Sequence, residues 1–302
     1  MFSTLTSDAL LEEQLPRIVE HRYKSFGKSA VEPLLEPFWK WGVTFVPKRV
    51  APNTLTLSGL LANVFSTLII LYYSPNFRNE IPASSVLFFC AAVFLYQTLD
   101  ALDGLHARRT NTCSPLGELF DHGCDAISMY VLSMGYFSII GFGNSPIAML
   151  VEFFILNCTF YASQWQSFVT GSMSFDGFSV TESLLFLMLV SIISAFFGVQ
   201  LWTFKEPFLG IELNKIQFWI AVVGSTVLFV RFAHTISVDG VGKCGTTVAV
   251  IGCPLRFFFP SLQRSAYNAR RGTREPVCAV LDRTNASGVG YICSGDQDCP
   301  LP

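Results

Sequence analysis

The chain has 302 residues, of which 51% are hydrophobic and 14% charged, against roughly 25% charged in soluble domains. Its net charge of −2 supplies no basic field for a nucleic-acid partner, and none is expected. This composition points to the membrane and away from a soluble domain.

Taken in chain order, residues 1–49 hold seven of the 20 Lys and Arg: Arg17, Arg22, Lys24, Lys28, Lys40, Lys48 and Arg49. Residues 1–20 lack the positive start and apolar core of a signal peptide. Segment 31–46, VEPLLEPFWKWGVTFV, sets Phe38, Trp39 and Trp41 around Lys40. That pattern predicts a helix lying at headgroup level. Six uncharged runs follow, at 50–77, 81–99, 126–151, 153–175, 183–204 and 216–230. About 20 apolar residues cross the hydrocarbon core as a helix. Five runs meet that length alone, and the sixth does so if Arg231 snorkels at its end. One such run could be a soluble core helix; six in series exclude it.

The expected fold is therefore all-α, a polytopic transmembrane helical bundle with six spans, or seven if 244–255 crosses. An N-terminal interfacial helix precedes it. The expected organisation is a cytosolic N-terminal segment over 1–49, a transmembrane domain over 50–260, and a polar, disordered tail over 261–302. The loop after the first span has only Arg78, whereas the next has Arg108 and Arg109. By the positive-inside rule the N-terminus and that second loop face the cytosol. The nine cysteines show neither zinc spacing nor a paired disulfide pattern.

The second loop and its flanks read LDALDGLHARRTNTCSPLGELFDHGCDA, residues 99–126. Asp100 and Asp103 are three apart and share a helix face; Asp121 and Asp125 are four apart and do likewise. A turn within 111–120, helped by Ser114-Pro115, would let the four carboxylates converge at one depth. Packed together without cations they would repel. Magnesium resolves the conflict, because Mg²⁺ prefers oxygen ligands and bridges to substrate phosphates. Four aspartates suit two such ions, with Mn²⁺ a substitute. Gly104 leaves room for a phosphate or a neighbouring helix, and Arg108 can pair with a phosphate oxygen.

The pattern Asp100-x2-Asp103-Gly104-x2-Ala107-Arg108-x8-Gly117-x3-Asp121-x3-Asp125 resembles the signature of the CDP-alcohol phosphotransferase class-I family at every fixed position. The stretches APNTLTLSG at 51–59, SPLGELFDHGCD at 114–125, QWQSFVTGSMSFDGFSVTE at 164–182 and GVGKCGTT at 240–247 are similar to its eukaryotic choline/ethanolaminephosphotransferase branch. The resemblance covers roughly 20–260. Leu105-His106 stands where that branch commonly has Lys-Gln. The branch also usually carries further C-terminal spans, while its catalytic enclosure is built from the first six.

The resemblance implies transfer of phosphocholine or phosphoethanolamine from CDP-choline or CDP-ethanolamine to diacylglycerol, releasing CMP. It also implies a homodimer in the endoplasmic reticulum or Golgi membrane, with the active site facing the cytosol. The family assigns the proton-accepting role to the last aspartate, Asp125. A carboxylate holding metal is a weakened base, whereas histidine titrates near neutrality, so His122 is the favoured base here. Glu118, four residues earlier on the same face, would orient the ring or ligate metal. Asn53 and Thr56 match the family's Pro-Asn-x2-Thr element; Asn53 is a cytidine or phosphate contact, or an N-cap. Tyr161 and Trp165 are candidates to face the cationic alcohol, with Glu182 as counter-charge. Two rival readings are a catalytically impaired, truncated member of the family and an ion transporter. The second would spread its acids through the membrane rather than gather them at one edge.

Overall fold

The computed structural model describes residues 25–170, 173–177, 179–207 and 210–239. The expected tail over 261–302, the seventh span at 244–255 and Arg17, Arg22 and Lys24 lie outside the described residues. The elements are β1 (Ser25–Ser29), α1 (Glu32–Gly42), α2 (Pro52–Tyr73), α3 (Ala83–Thr110), α4 (Pro115–Ile139), α5 (Pro146–Thr170), β2 (Met173–Gly177), α6 (Val180–Phe197), α7 (Gln200–Thr203) and α8 (Leu213–Asp239). This is an all-α membrane bundle with one small addition. β1 and β2 pair in parallel, with Ser25 opposite Met173 and Ser29 opposite Gly177.

Helix boundaries follow from local chemistry. Pro52 and Pro115 stand in the first turns of α2 and α4, where a missing N–H costs nothing. Ser179 and Glu182 form a reciprocal capping box at the start of α6. Gly198, with φ of 71°, ends α6 after Phe197, because only glycine takes that conformation without strain. The uncharged run at 183–204 therefore divides into α6 and the short α7 instead of forming one helix.

Among the described residues, five helices are long and apolar enough to cross a membrane: α2, α3, α6, and the greater parts of α5 and α8. The third expected span, 126–151, is not one helix: it runs from the second half of α4 across a break at 140–145 into the start of α5. α4 itself has 25 residues, about 37 Å of helix. It falls short on hydropathy because Glu118, Asp121, His122 and Asp125 occupy its first half. Packing leaves those residues half-buried. α4 packs against α2, α3 lies along both α2 and α6, and α5 pairs with α8. Gly59 lets α2 approach α3: a Cβ there would sit 3.1 Å from the Tyr96 ring. The core includes Ile70, Phe89, Val93, Phe137, Ile140 and Phe142, all essentially inaccessible. Large apolar side chains also cover the outside, among them Phe65, Leu68, Tyr72 and Phe154. Hydrocarbon, not water, is the solvent such a surface suits.

The expected N-terminal helix forms as α1, extended by a turn of 3₁₀ helix over Val43–Phe45. Trp39 turns inward, while Leu34, Trp41 and Phe45 are exposed. Phe38 stacks near Phe94 of α3, ring centroids 5.9 Å apart. Arg109 donates to the carbonyls of Val43 and Val46, which fixes the end of α1 to the end of α3.

Candidate active site

The hairpin between α3 and α4 is tighter than the sequence suggests. Asn111 takes the left-handed conformation and caps α3, and Thr112 N–H donates to Ala107 carbonyl at 3.0 Å. Ser114 Oγ then accepts from Gly117 N–H at 3.1 Å and opens α4. Only residues 111–114 turn, not the whole of 111–120. The aspartates consequently lie inside the two helices, not at their ends: α3 runs on past Asp103 to Thr110, and α4 begins at Pro115, ahead of Asp121.

Carboxylate oxygens of Asp100, Asp103 and Asp121 all lie within 4.8 Å of one another. Asp103 is buried and the other two half-buried. Like charges at that separation cost about 3 kcal/mol per pair at an effective dielectric of about 20. Among the described residues no lysine or arginine forms an ion pair with any of the three. Asp121 Oδ1 is buried with no hydrogen-bond partner. An oxygen-only, anionic donor set with an unspent buried oxygen fits a hard divalent cation.

Asp125 stands at the edge of this trio. Its Oδ1 accepts the Tyr96 hydroxyl at 2.6 Å, and its carboxylate neighbours Asp100 and His122. Thr56 Oγ1 donates to Asp103 Oδ2. A deeper layer continues from these groups: Asn63 Nδ2 donates to Ser128 Oγ at 3.3 Å. Tyr96 had no place in the sequence reading, although it precedes Asp100 by four residues and so shares its face. Thr56 was visible only as part of a motif. His106, fully buried, bonds Val50 carbonyl through Nε2 at 2.9 Å, tying α3 to the segment before α2.

The other sequence candidates fall into two groups. Near the aspartates, Arg108 folds back over Gly104: a Cβ there would lie 3.6 Å from its guanidinium, an ordinary contact. A Cβ on Gly117 would lie 3.6 Å from Asn53 Oδ1, which brings the start of α2 to the start of α4. Glu118 and His122 are half-buried on α4. Elsewhere, Tyr161 and Trp165 pair with each other on α5, ring centroids 5.9 Å apart. Glu182 is committed to structure: Oε2 accepts Ser179 N–H and Oγ at 2.8 and 2.7 Å, and Oε1 accepts Val31 N–H at 3.0 Å.

The family model described as CDP-alcohol phosphatidyltransferase matches residues 49–227, a range that includes all four aspartates and both glycines of the motif. The chain belongs to that family. It is 40% identical over 243 residues to cholinephosphotransferase 1 of Rattus norvegicus, covering 80% of this chain and 61% of the relative. The Homo sapiens protein of that name is 40% identical over 244 residues, covering 80% and 60%. The Gallus gallus one is 38% identical over 237 residues, covering 78% and 71%. The chain thus spans about three fifths of the length of the first two relatives.

Proposed function

We propose that this protein transfers phosphocholine or phosphoethanolamine from CDP-choline or CDP-ethanolamine to the hydroxyl of diacylglycerol. The observation that carries the reading is the convergence of Asp100, Asp103 and Asp121 within 4.8 Å, in a chain similar to cholinephosphotransferases. Asp100, Asp103, Asp121 and Asp125 would hold magnesium, one ion or two, and Mn²⁺ in its place. Such an ion would supply positive charge against the diphosphate and the leaving CMP, which phosphoryl transfer chiefly requires.

The chain's own residues supply the rest. A bond forms between the diacylglycerol oxygen and the phosphorus bearing the alcohol, and the bond from that phosphorus to CMP breaks. His122 takes the hydroxyl proton, and Glu118 orients the ring. Asp125, held by the Tyr96 hydroxyl, keeps its position beside Asp100. Arg108 and Asn53 reach the phosphates or cytidine, Gly104 gives the space for it, and the Tyr161–Trp165 pair offers an aromatic face to a quaternary ammonium. A nucleotide arriving from the cytosol and a lipid arriving from the bilayer would meet at this depth. The same reading places the protein in the endoplasmic reticulum or Golgi membrane, as a homodimer.

The test is transfer of label from radiolabelled CDP-choline or CDP-ethanolamine into lipid by membranes containing the protein. Transfer that chelation abolishes and Mg²⁺ restores is the expected result; full turnover in chelator would sink the metal assignment. Orientation is checked separately with Asn144→Cys, exposed between α4 and α5. In sealed, cytosol-side-out vesicles this cysteine should resist an impermeant thiol reagent.

A further inference from the structure

A second polar centre lies where α4, α5 and α8 meet, at the end of α4 away from the aspartates. Glu152 of α5 is 2% exposed, and Gln217 and Asn214 of α8 are 8% and 2% exposed. Gln217 Nε2 donates to Glu152 Oε1 at 3.2 Å, and Asn214 Nδ2 donates to the Ile140 carbonyl at 3.4 Å. The Ile140 carbonyl and an ionised Glu152 carboxylate only accept, so each amide turns its nitrogen toward its partner. Four buried oxygens then remain without partners: Glu152 Oε2, Gln217 Oε1, Asn214 Oδ1 and the Tyr136 hydroxyl. Asn214 and Gln217 are three apart on one face of α8, and Tyr136 lies within electrostatic reach of Glu152. Among the described residues no lysine, arginine or histidine forms an ion pair with Glu152.

We propose that Glu152, Gln217, Asn214 and Tyr136 form a binding site for a monovalent alkali cation. The donor set is all oxygen, which selects hard cations over zinc or copper. It carries one formal negative charge, so one positive charge balances it; a divalent ion would leave a net charge buried. Each amide has given one N–H to its partner, and the four atoms left unpartnered are all oxygens. One water donates to at most two of those four oxygens, whereas a cation can be coordinated by all of them. Bound there, the ion would join α4, α5 and α8 at a point where each contributes a polar group to an otherwise apolar contact.

The test uses the full chain in detergent or nanodiscs, with sodium or potassium exchanged for N-methyl-D-glucamine at constant chloride. The expected result is a saturable rise in thermal midpoint with sodium or potassium, and saturable binding of ²²Na⁺ displaced by the preferred ion. Glu152→Gln should abolish both. Asn214→Ala, which keeps the carboxylate, should raise the half-saturating concentration about tenfold or more, the scale on which a lost supporting group weakens ion binding. Asp103→Asn should leave the alkali response intact, which separates this centre from the aspartates. An ion-independent midpoint with no saturable ²²Na⁺ binding would overturn the proposal and mean that Glu152 carries a proton instead. An alkali response unchanged in Asn214→Ala, or lost in Asp103→Asn, would overturn it too.

Discussion

The two ends of α4 are built from opposite materials. Its N-terminal half carries Glu118, Asp121, His122 and Asp125 and faces Asp100 and Asp103 across the hairpin. Its C-terminal half, apart from hydroxyls such as that of Tyr136, is apolar: the Phe137, Phe142 and Phe218 rings follow one another with centroids 5.9 Å apart. From Asp125 to Tyr136 the helix rises only about 16 Å. One end concentrates charge that opposes folding, and the other concentrates apolar contact that favours it. A single helix can therefore hold a costly site in register because its other half is anchored in the core.

The largest effect expected from breaking that contrast is at Asp103. Asp103→Asn should lower transfer at least about 10²-fold, the scale of losing one electrostatic stabiliser. Stability should move the other way in chelator, where the substitution relieves about 3 kcal/mol of repulsion per like-charged neighbour. A thermal midpoint that falls in chelator would mean the carboxylates are not strained by one another. Next in size, His122→Ala should cut kcat about 10²–10⁴-fold, as loss of a general base does, with KM for the CDP-alcohol and the Mg²⁺ requirement unchanged. Asp125→Ala should instead disturb nucleotide and metal dependence together. Near-full turnover of His122→Ala would return the proton to Asp125.

Much of this was legible in residue spacing. Uncharged runs located most of the helices because length against bilayer thickness leaves few alternatives, although 126–151 straddles two of them. The i, i+3 and i, i+4 spacing of the aspartates pointed to the candidate site. What stayed hidden depends on three-dimensional contact. Gly198 reads as one more small residue in an apolar run until its positive φ is seen. The commitment of Glu182 to Ser179 and Val31 is a cap, and S-x-x-E before an apolar run was the available signal. The pairing of β1 with β2 joins segments separated by about half of the chain, and no local pattern announces it.

Tyr96 sharpens the polar side of the contrast. Tyr96→Phe keeps the packing against Gly59 but removes the hydroxyl that Asp125 accepts at 2.6 Å. A hydrogen bond to a charged group contributes about 1.5–3 kcal/mol, so kcat/KM should fall roughly 10–100-fold, with a raised Mg²⁺ requirement that His122→Ala would not show. In an Asp125→Asn background the same change should have much less effect, since the two act through one contact. Full additivity would show that Tyr96 acts elsewhere.

The smallest effects compare two glycines on the same helix. A Cβ on Gly123, beside His122, would meet nothing within 4 Å, whereas one on Gly135 would sit 2.6 Å from Phe89 Cε2 and 2.9 Å from Cζ. Alanine is favoured over glycine in a helix interior by about 1 kcal/mol, and Gly123→Ala should therefore raise the thermal midpoint. At Gly135 the same gain is opposed by overpacking, typically about 1–3 kcal/mol. Phe89 is fully buried and has no free volume to turn into, so the clash should win and the midpoint should fall. Turnover should respond in the reverse order. Gly135→Ala leaves the aspartates untouched and should preserve KM, while Gly123→Ala narrows open space beside the proposed base and should raise KM for the lipid acceptor or the CDP-alcohol. Equal midpoints for the two variants would mean that the far end of α4 yields as easily as the site end, and the contrast between them would be lost.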